Sequence, residues 1–368
     1  MKKLLQINVT ANWGSTGKIA EAIGLAAMRR GWDSTIAYGR MMHPSQSRLI
    51  KVGSRLDTYV HYGCNRFFDG EGRASQRATR DLINKIEALK PDVVQLHNIH
   101  DHYLNYELLF RYLNETDIRV VWTQHDCWAF TGHCYHFVEC DCMKWQSSCH
   151  FCPQRNGIVD RSHENYELKK WLFSANPQLT IVSCSHWMDD FVKQSFLKEK
   201  RMAVIHNGVD LDVFKPVGDR HEDGVFRIIA VSNVWHKSKG IDDIVRLRGL
   251  LGSEYHITVV GLTEEQVAAM PAGIRGIRRT QHAQELVSLY AESDVLINPT
   301  YADTFPTVNL EALACGTPVI TYRTGGSPEA IDDKTGMVIA QGDVAALAEA
   351  IRQMKSNPLS STDCRQRA

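Results

Sequence analysis

The chain has 368 residues, which is too many for one ordinary hydrophobic core, so two domains are expected. Basic and acidic residues both number 42, so the formal net charge is zero and a nucleic acid is not expected as the main partner. No apolar run reaches about 20 residues, and the N-terminal apolar segment is interrupted by Gln6 and Asn8, so neither a bilayer-spanning helix nor a signal peptide is predicted. A cytoplasmic protein is therefore expected.

The first half of the chain alternates short apolar segments with amphipathic ones, which predicts a parallel sheet with crossover helices. The predicted strands are residues 4–9, 34–38, 92–96, 118–123, 179–184 and 203–205, and the predicted helices are residues 19–29 and 80–89. Ligands of such sheets bind at the carboxyl ends of the strands, so residues that directly follow a strand are candidates for a site.

A glycine-rich turn, residues 14–18 (GSTGK), joins the first predicted strand to the first predicted helix. It is not a P-loop, because the positions where that motif needs glycine and serine or threonine hold Asn12 and Ile19. Gly14 and Gly17 would still let the backbone approach a phosphate or a sugar. The alternative is a simple tight turn.

Histidines follow two of the predicted strands. His125 comes after the strand at residues 118–123, and this position makes a functional role about as plausible as a structural one. His97, His100 and His102 follow the strand at residues 92–96. An extended loop would scatter them, so they are interpreted as residues that line a cleft and contact an acceptor, not as metal ligands.

Six of the ten cysteines lie between Cys127 and Cys152, which predicts an insertion over residues 127–152. Cys149-x2-Cys152 is a chelating pair, and clustered cysteines in a cytosolic protein favour a metal over disulfides. Four thiolates would form a closed structural zinc site without an open catalytic position. The predicted ligands are Cys134, Cys142, Cys149 and Cys152, with Cys140 as an alternative to Cys142. A set of free thiols in a loop is the competing interpretation.

Residues 165–174 are both basic and amphipathic. Such a segment could contact an anionic membrane that carries a lipid-linked acceptor. Packing of this helix onto its own domain is the favoured interpretation.

A polar, charged segment at residues 216–224 is the predicted linker between a first domain, residues 1–215, and a second domain, residues 216–368. A second series of strands and helices follows it. The predicted strands are residues 226–231, 256–260 and 294–298, and the predicted helices are residues 240–250, 283–291 and 343–354.

Residues 294–329 are the most informative stretch, because a strand there leads through a polar loop into a helix and then through a Cys-Gly-Thr-Pro turn into another strand. Thr304 is the predicted N-cap of the helix, and Pro306 suits its first turn. The sequence Cys315-Gly316 is predicted to end it.

The start of this helix suits a phosphate, because the free amides near Thr307 and Val308 and the helix dipole both favour an anion. Glu311 lies one turn further along the same face, where neutral hydroxyls such as those of a ribose are its natural partners. Asp303 could reach a different hydroxyl group. The alternative is that both acids are ordinary solvated residues.

Lys239 lies in the sequence Trp-His-Lys-Ser-Lys-Gly, after an apolar strand and before a helix. A lysine is a flexible point charge that can neutralise a diphosphate as it departs. A solvated loop lysine is the alternative.

Residues 294–329 resemble the donor-site signature of the retaining glycosyltransferases of family four, whose E-x7-E pattern corresponds here to Asp303-x7-Glu311. The resemblance covers most of the chain and is strongest in residues 226–340. It implies the GT-B fold, in which two Rossmann-like domains face each other across a cleft. The first would be the acceptor side, with the cysteine-rich insertion, and the second would bind the donor.

The resemblance also implies a role for each candidate residue. Lys239 and the helix start at Thr307 and Val308 would bind the diphosphate, and Gly14 and Gly17 would lie close to it. Glu311 would hold the ribose. Asp303 and His125 would contact the donor sugar.

The sequence departs from the family pattern in three places. The first acid is an aspartate, and an arginine that often precedes the lysine is missing at Asn233 and Val234, where Lys237 could substitute. Family members usually continue for a further helix or two after residues 343–354, whereas this sequence ends at residue 368, so a shortened C-terminus is expected.

The reaction implied by the resemblance is transfer of a sugar, with retained anomeric configuration, from a nucleotide-diphospho-sugar to a hydroxyl of a glycan or a lipid-linked saccharide. No cofactor is expected for catalysis, and zinc would be structural only. The expected pathway is assembly of cell-surface polysaccharide or lipopolysaccharide, in the cytoplasm or at the inner face of the membrane. The alternatives are a non-catalytic nucleotide-sugar binder and a sugar-nucleotide epimerase or phosphorylase.

Overall fold

The structure, a computed structural model, describes residues 1–70, 72–155, 158–218, 223–280 and 282–368. The chain forms two compact units, Met1–His206 and Asn207–Ala368. The predicted linker, residues 216–224, lies partly outside the described residues. The predicted boundary between residues 215 and 216 falls just inside the second unit.

The first unit is built on a parallel sheet. Its strands are β1 (Lys3–Asn8), β2 (Asp33–Tyr38), β3 (Arg48–Lys51), β4 (Val93–Leu96), β5 (Arg119–Gln124), β6 (Leu179–Ser183) and β7 (Arg201–Val204). Its α-helices are α1 (Gly14–Arg29), α2 (Arg55–Phe68), α3 (Gln76–Leu89), α4 (Tyr106–Asn114), α5 (Ser162–Ala175) and α6 (His186–Val192). Within the described residues the strand order is β3-β2-β1-β4-β5-β6-β7.

The second unit repeats this architecture. Its strands are β8 (Phe226–Val231), β9 (Tyr255–Leu262), β10 (Ile274–Arg278), β11 (Val295–Asn298), β12 (Val319–Tyr322) and β13 (Gly336–Ile339). Its α-helices are α7 (Ile241–Arg248), α8 (Glu264–Ala268), α9 (Ala283–Ala291), α10 (Thr307–Ala314), α11 (Val344–Ser356) and α12 (Ser361–Arg367). The order of the strands that the structure describes is β10-β9-β8-β11-β12-β13.

Both sheets are covered by helices, which explains why their central strands are almost continuously apolar. Leu5 and Ile7 of β1 are fully buried, as are Val94 of β4 and Val295 of β11. Such runs are readable in a sequence, and the α/β class predicted from them is confirmed.

The strand order reverses at one point in each sheet, between β1 and β4 in the first unit and between β8 and β11 in the second. At such a switch point, the loops that follow two neighbouring strands run to opposite faces of the sheet. A crevice therefore opens between these loops at the carboxyl ends of the strands, and ligands of doubly wound sheets bind there. The loops after these four strands are therefore the structural candidates for a site.

Two local predictions for the first unit need comment. Helix α1 begins at Gly14 and not at Ile19, because residues 14–18 form its first turn; the predicted separate turn is wrong. Helix α5 packs into its unit, as favoured from the sequence, and its Lys169 side chain is buried.

Among the described residues, no helix has both the length and the apolarity needed to cross a membrane.

Candidate active site

In the second unit, the loop after β8 is locked against the loop after β11. The amide of Tyr301 donates to the carbonyl of Ser238 at 2.7 Å. Gly240 has a φ of +76°, and a Cβ there would lie 2.1 Å from the Pro299 carbonyl oxygen. Only glycine combines a positive φ with the lack of a Cβ. Gly240 therefore fixes the position of the backbone at the preceding residue, Lys239.

This packing brings Lys239 and Asp303 into contact. The ammonium of Lys239 donates to the Asp303 carboxylate at 2.8 Å and to the Ala302 carbonyl at 3.1 Å. The two side chains are 27% and 23% exposed, so a ligand can reach both. The sequence suggested separate roles for these residues, and their ion pair was not predicted.

A third loop supports Asp303 from another side. Gly325 has a φ of +54°, and a Cβ at this position would lie 1.7 Å from the Asp303 carbonyl oxygen. The next amide, of Gly326, donates to the Thr304 carbonyl at 3.2 Å. Glycine is thus required at position 325 because the backbones of two loops approach each other closely there.

Helix α10 begins two residues later than expected from the predicted N-cap. Its N-cap is Pro306, which has an extended backbone with a ψ of 120°, so the predictions of Thr304 as N-cap and of Pro306 inside the first turn are wrong. The reason is that Thr304 is held in the loop by Gly326. No side chain caps α10, and the amides of Thr307 and Val308 have no acceptor among the described residues. The helix start is therefore uncapped at the same two amides that the sequence analysis named.

Buried polar side chains hold this helix start over the sheet. The Asn309 amide group donates to the Ser327 hydroxyl at 2.9 Å, and its oxygen accepts from Asn298 at 2.9 Å. The Ser327 hydroxyl also lies 2.6 Å from that of Thr321. A network in which these polar groups are hydrogen-bonded fixes the orientation of the helix start relative to the sheet. Its residues come from four separate segments, so the sequence alone gave no signal for it.

Glu311 is half-buried on α10 and is oriented by a neighbouring helix. The Tyr290 hydroxyl of α9 donates to the Glu311 carboxylate at 3.1 Å. Burial, followed by the negative charge of Glu311, raises the pKa of Tyr290 well above its usual value, so the phenol remains a donor. Tyr290 was not identified from the sequence, where it resembles an ordinary core aromatic residue.

In the first unit, Gly14 and Gly17 lie at the start of α1, directly after the loop that follows β1. Gly14 has a φ of +66° with open space around its Cα. Gly17 faces the Thr10 hydroxyl, which would lie 2.6 Å from an added Cβ. Backbone is thus accessible at Gly14, while Gly17 serves packing between helix and loop.

His125 belongs to a chain of hydrogen bonds at the carboxyl ends of β1, β4 and β5. The Gln6 side chain donates its N–H to the Ala20 carbonyl, so its oxygen accepts from His97 Nε2 at 3.1 Å. A neutral His97 then accepts at Nδ1, and His125 Nε2 donates to it over 3.0 Å. The lone pair of the His125 ring is therefore on Nδ1.

Both rings stay neutral at ordinary pH. Burial is the main cause that lowers the pKa of His97 well below its usual value, and it lowers the pKa of His125 to about 4 despite the nearby Asp126 carboxylate. His97 is 1% exposed, so the prediction that it lines a cleft is wrong. It positions His125 instead.

A second histidine pairs with Asp126. His100 Nε2 lies 2.9 Å from the Asp126 carboxylate, whose other oxygen accepts the Trp128 amide at 2.9 Å. Burial raises the pKa of Asp126, but His100 and the Trp128 amide outweigh it and hold the pKa at about 2. His100 is 7% exposed, so its predicted role as an acceptor contact is also wrong.

The cysteine-rich segment lies in the same unit, beyond Asp126. All ten cysteines have free thiols. Four of them surround one small cavity: Cys134, Cys142, Cys149 and Cys152. The alternative ligand, Cys140, is exposed and donates its thiol to the Phe137 carbonyl at 3.2 Å.

Comparison with known families decides the class of this protein. A family model described as Glycosyltransferase Family 4 matches residues 18–213, which is more than half of the chain. The chain belongs to glycosyltransferase family 4. A second model, described as Glycosyl transferases group 1, matches residues 225–357 of this glycosyltransferase.

Similar proteins agree with this membership. The glycosyltransferase is 24% identical to a protein named as the colanic acid biosynthesis glycosyl transferase WcaC of Escherichia coli K12, over 94% of this chain and 89% of that protein. Its fold matches a sucrose-phosphate synthase from Thermosynechococcus elongatus with a TM-score of 0.74 at 16% identity, over 100% of this chain and 94% of the other.

A further match, with a TM-score of 0.62 at 13% identity, is to Anabaena HepE in complex with UDP, over 100% of this chain and 93% of that one. These likenesses, with the two parallel sheets, confirm the GT-B fold predicted from the sequence.

Proposed function

We propose that this glycosyltransferase transfers a sugar from a nucleotide-diphospho-sugar to a saccharide hydroxyl with retention of the anomeric configuration. The observation that carries the proposal is the uncapped start of α10. It presents the amides of Thr307 and Val308 on the helix that also carries Glu311, in the same unit as the Lys239–Asp303 pair.

The diphosphate of the donor fits the start of α10. Unsatisfied amides and the helix dipole favour an anion there, and the positive charge of Lys239 adds to them. Glu311, one turn further along, would accept hydrogen bonds from the ribose hydroxyls, since a carboxylate cannot approach phosphate. The hydrogen bond from Tyr290 orients this carboxylate.

The proposed reaction uses no enzyme nucleophile. The bond between the anomeric carbon and the diphosphate oxygen breaks, and the acceptor oxygen bonds to that carbon on the same face. The acceptor proton passes to the departing phosphate oxygen. Lys239 and the α10 amides stabilise the charge that develops on the diphosphate.

Two side chains would contact the donor sugar. Asp303 would accept from a sugar hydroxyl while it keeps Lys239 in place. His125, which is neutral and has its lone pair on Nδ1, would accept from another hydroxyl. Hydroxyl groups, unlike phosphate, are the partners that such acceptors bind.

The acceptor we propose is a glycan or a lipid-linked saccharide in the assembly of cell-surface polysaccharide, in the cytoplasm or at the inner face of the membrane. The name of the Escherichia coli relative, which refers to colanic acid, supports this pathway.

The experiment is to incubate the protein with UDP-, GDP- and ADP-sugars and a panel of saccharide acceptors, and to follow the anomeric protons by NMR. A product with the anomeric configuration of the donor is expected. Lys239→Ala should lower the rate about 100-fold, whereas Lys334→Ala, at an exposed turn, should leave it unchanged.

The alternatives predict other products. An inverted linkage would contradict retention. An epimerised donor without acceptor would indicate an epimerase, and a requirement for inorganic phosphate would indicate a phosphorylase. Binding without turnover across the panel would favour the non-catalytic binder.

A further inference from the structure

The segment after Asp126 has little regular structure to hold it. Between β5 and α5 the described residues form only short 3-10 turns, at Trp128–Phe130, Phe137–Cys140 and Lys144–Gln146. A long irregular segment inside a compact unit normally needs cross-links, since it has few backbone hydrogen bonds of its own.

Four cysteines converge within this segment. Cys149 and Cys152 are separated by two residues, and Cys134 and Cys142 approach from the preceding turns to line the same cavity. The side chains of Cys134 and Cys152 are within hydrogen-bonding distance of each other. The cavity has a volume of about 10 Å³. This is about one water-sized sphere, which suits a single ion but no organic ligand.

Backbone amides donate to two of the sulfur atoms. The Gly132 amide donates to the Cys149 sulfur at 3.2 Å, and the Gln154 amide donates to that of Cys152. Amide donors to sulfur are the usual outer partners of metal-bound thiolates, whose charge they stabilise.

A buried cation lies beside the cluster. Lys169 is 1% exposed, donates to the carbonyls of Trp128 at 2.8 Å and Thr131 at 3.0 Å, and is close enough to Cys149 to interact electrostatically with its thiolate. Burying an ammonium is costly unless negative charge is near. Four thiolates around a divalent cation carry a net double negative charge, which would compensate it.

We infer that Cys134, Cys142, Cys149 and Cys152 bind one structural zinc ion. The chemistry is that of a closed four-thiolate site, with no position left for a substrate or a reacting water. Each thiol loses its proton to the solvent when the metal binds. The ion would cross-link the segment that follows His125 and Asp126, and so stabilise the first unit without taking part in transfer.

The first test uses the wild-type protein, purified without chelators. Mass spectrometry of the metal content should find close to one zinc ion per chain. Cobalt in place of zinc should give the intense visible bands of a tetrahedral site and a sulfur-to-cobalt charge-transfer band. Zinc below about 0.1 per chain, together with no cobalt spectrum, would overturn the inference.

The second test identifies the ligands. Cys149→Ser and Cys142→Ser should each lose most of the zinc, whereas Cys140→Ser, at the exposed thiol, should keep it. Retained zinc in Cys142→Ser with loss in Cys140→Ser would overturn the proposed ligand set.

A third measurement does not depend on the folding of a variant. Titration of the wild-type thiols with an organomercurial should release zinc as the four thiols of the proposed site react. The same thiols found already oxidised to disulfides in the metal-free protein would refute the site.

Discussion

At the scale of single residues, the contact between Lys239 and Asp303 is the feature that we expect to affect the proposed donor binding most. The two are far apart in the sequence but leave neighbouring central strands, β8 and β11, so the fold pairs them at 2.8 Å. The cation proposed to meet the diphosphate is thus already engaged by a carboxylate. Asp303 should therefore oppose diphosphate binding slightly while it aids the reaction.

Asp303→Asn tests this balance. We expect the substitution to tighten the binding of the free nucleoside diphosphate, because a partly exposed ion pair, worth about 0.2–1 kcal/mol, no longer competes for Lys239. The transfer rate should fall at least about tenfold, since a contact to the donor sugar is lost. Calorimetry and the NMR assay measure the two effects. Weaker diphosphate binding would contradict the proposed competition.

Tyr290 provides a second test at this scale, because its hydroxyl orients Glu311. Tyr290→Phe keeps the buried ring and removes that hydrogen bond. The affinity for a nucleoside diphosphate should fall by roughly 3- to 10-fold, as one hydrogen bond is worth about 0.5–1.5 kcal/mol. Nucleotide affinity equal to that of wild type would show that Tyr290 does not position Glu311.

Lys239, Asp303 and Glu311 could be named as candidates from the sequence because each occupies a recognisable position relative to a strand or a helix start. It did not identify Tyr290, Asn309 or Gln6. Their importance comes from hydrogen bonds between elements distant in the chain, and such pairings depend on the sheet order, which a single sequence does not specify.

At the scale of elements, α12 is one of the helices that were not predicted from the sequence. No helix was predicted after residues 343–354, but α12 lies there and packs against α10. Its Arg365 donates to the Ala314 carbonyl at 2.8 Å, to the Leu211 carbonyl at 2.8 Å and to the Phe214 carbonyl. Arg365 thus joins α12, the end of α10 and the segment after His206.

Arg365→Ala should destabilise the second unit. Several hydrogen bonds from a charged donor are lost at once, so the free energy of unfolding should fall by about 1–3 kcal/mol. Urea denaturation measures the change, with Arg275→Ala, at an exposed strand position, as the control. An equal, small effect of both substitutions would show that α12 does not depend on Arg365.

The burial pattern explains several of the elements that were predicted correctly and some of those that were missed. The central strands are apolar runs buried on both faces, and β8 and α9 have the predicted bounds. Helix α2 was missed because Leu56, Tyr59 and Phe68 are exposed, so its apolar residues do not form one buried stripe. Helix α12 was missed because it is short and polar and is held by a side chain that binds carbonyls.

At the scale of the whole molecule, buried neutral histidines make folding sensitive to acid. His61 is fully buried, accepts the Gly72 amide at 2.9 Å and bonds Ser75 at 2.8 Å. Burial, with a further contribution from His102, lowers the pKa of His61 to about 3. The pKa of His125 is lowered to about 4. An unfolded histidine titrates near 6.5.

Between about pH 6.5 and 4, therefore, the unfolded chain binds more protons than the folded one, and stability falls as the pH falls. We expect the free energy of unfolding to be lower at pH 5 than at pH 7 by on the order of a few kcal/mol. Urea denaturation at both values measures it. His61→Gln should reduce the pH dependence, whereas His256→Gln, at an exposed position of β9, should not. Equal stability at both pH values would contradict the conclusion that His61 and His125 are neutral in the folded protein.

The most direct test of the central claim is calorimetric titration with UDP, GDP and ADP and their common sugar conjugates. The wild-type protein should bind one of the three bases selectively. Glu311→Gln should weaken that binding about tenfold or more, because charge-assisted bonds to the ribose are lost, while Glu349→Gln on the exposed face of α11 should match wild type. No binding by the folded wild-type protein, or equal binding by Glu311→Gln, would contradict a donor site at the start of α10.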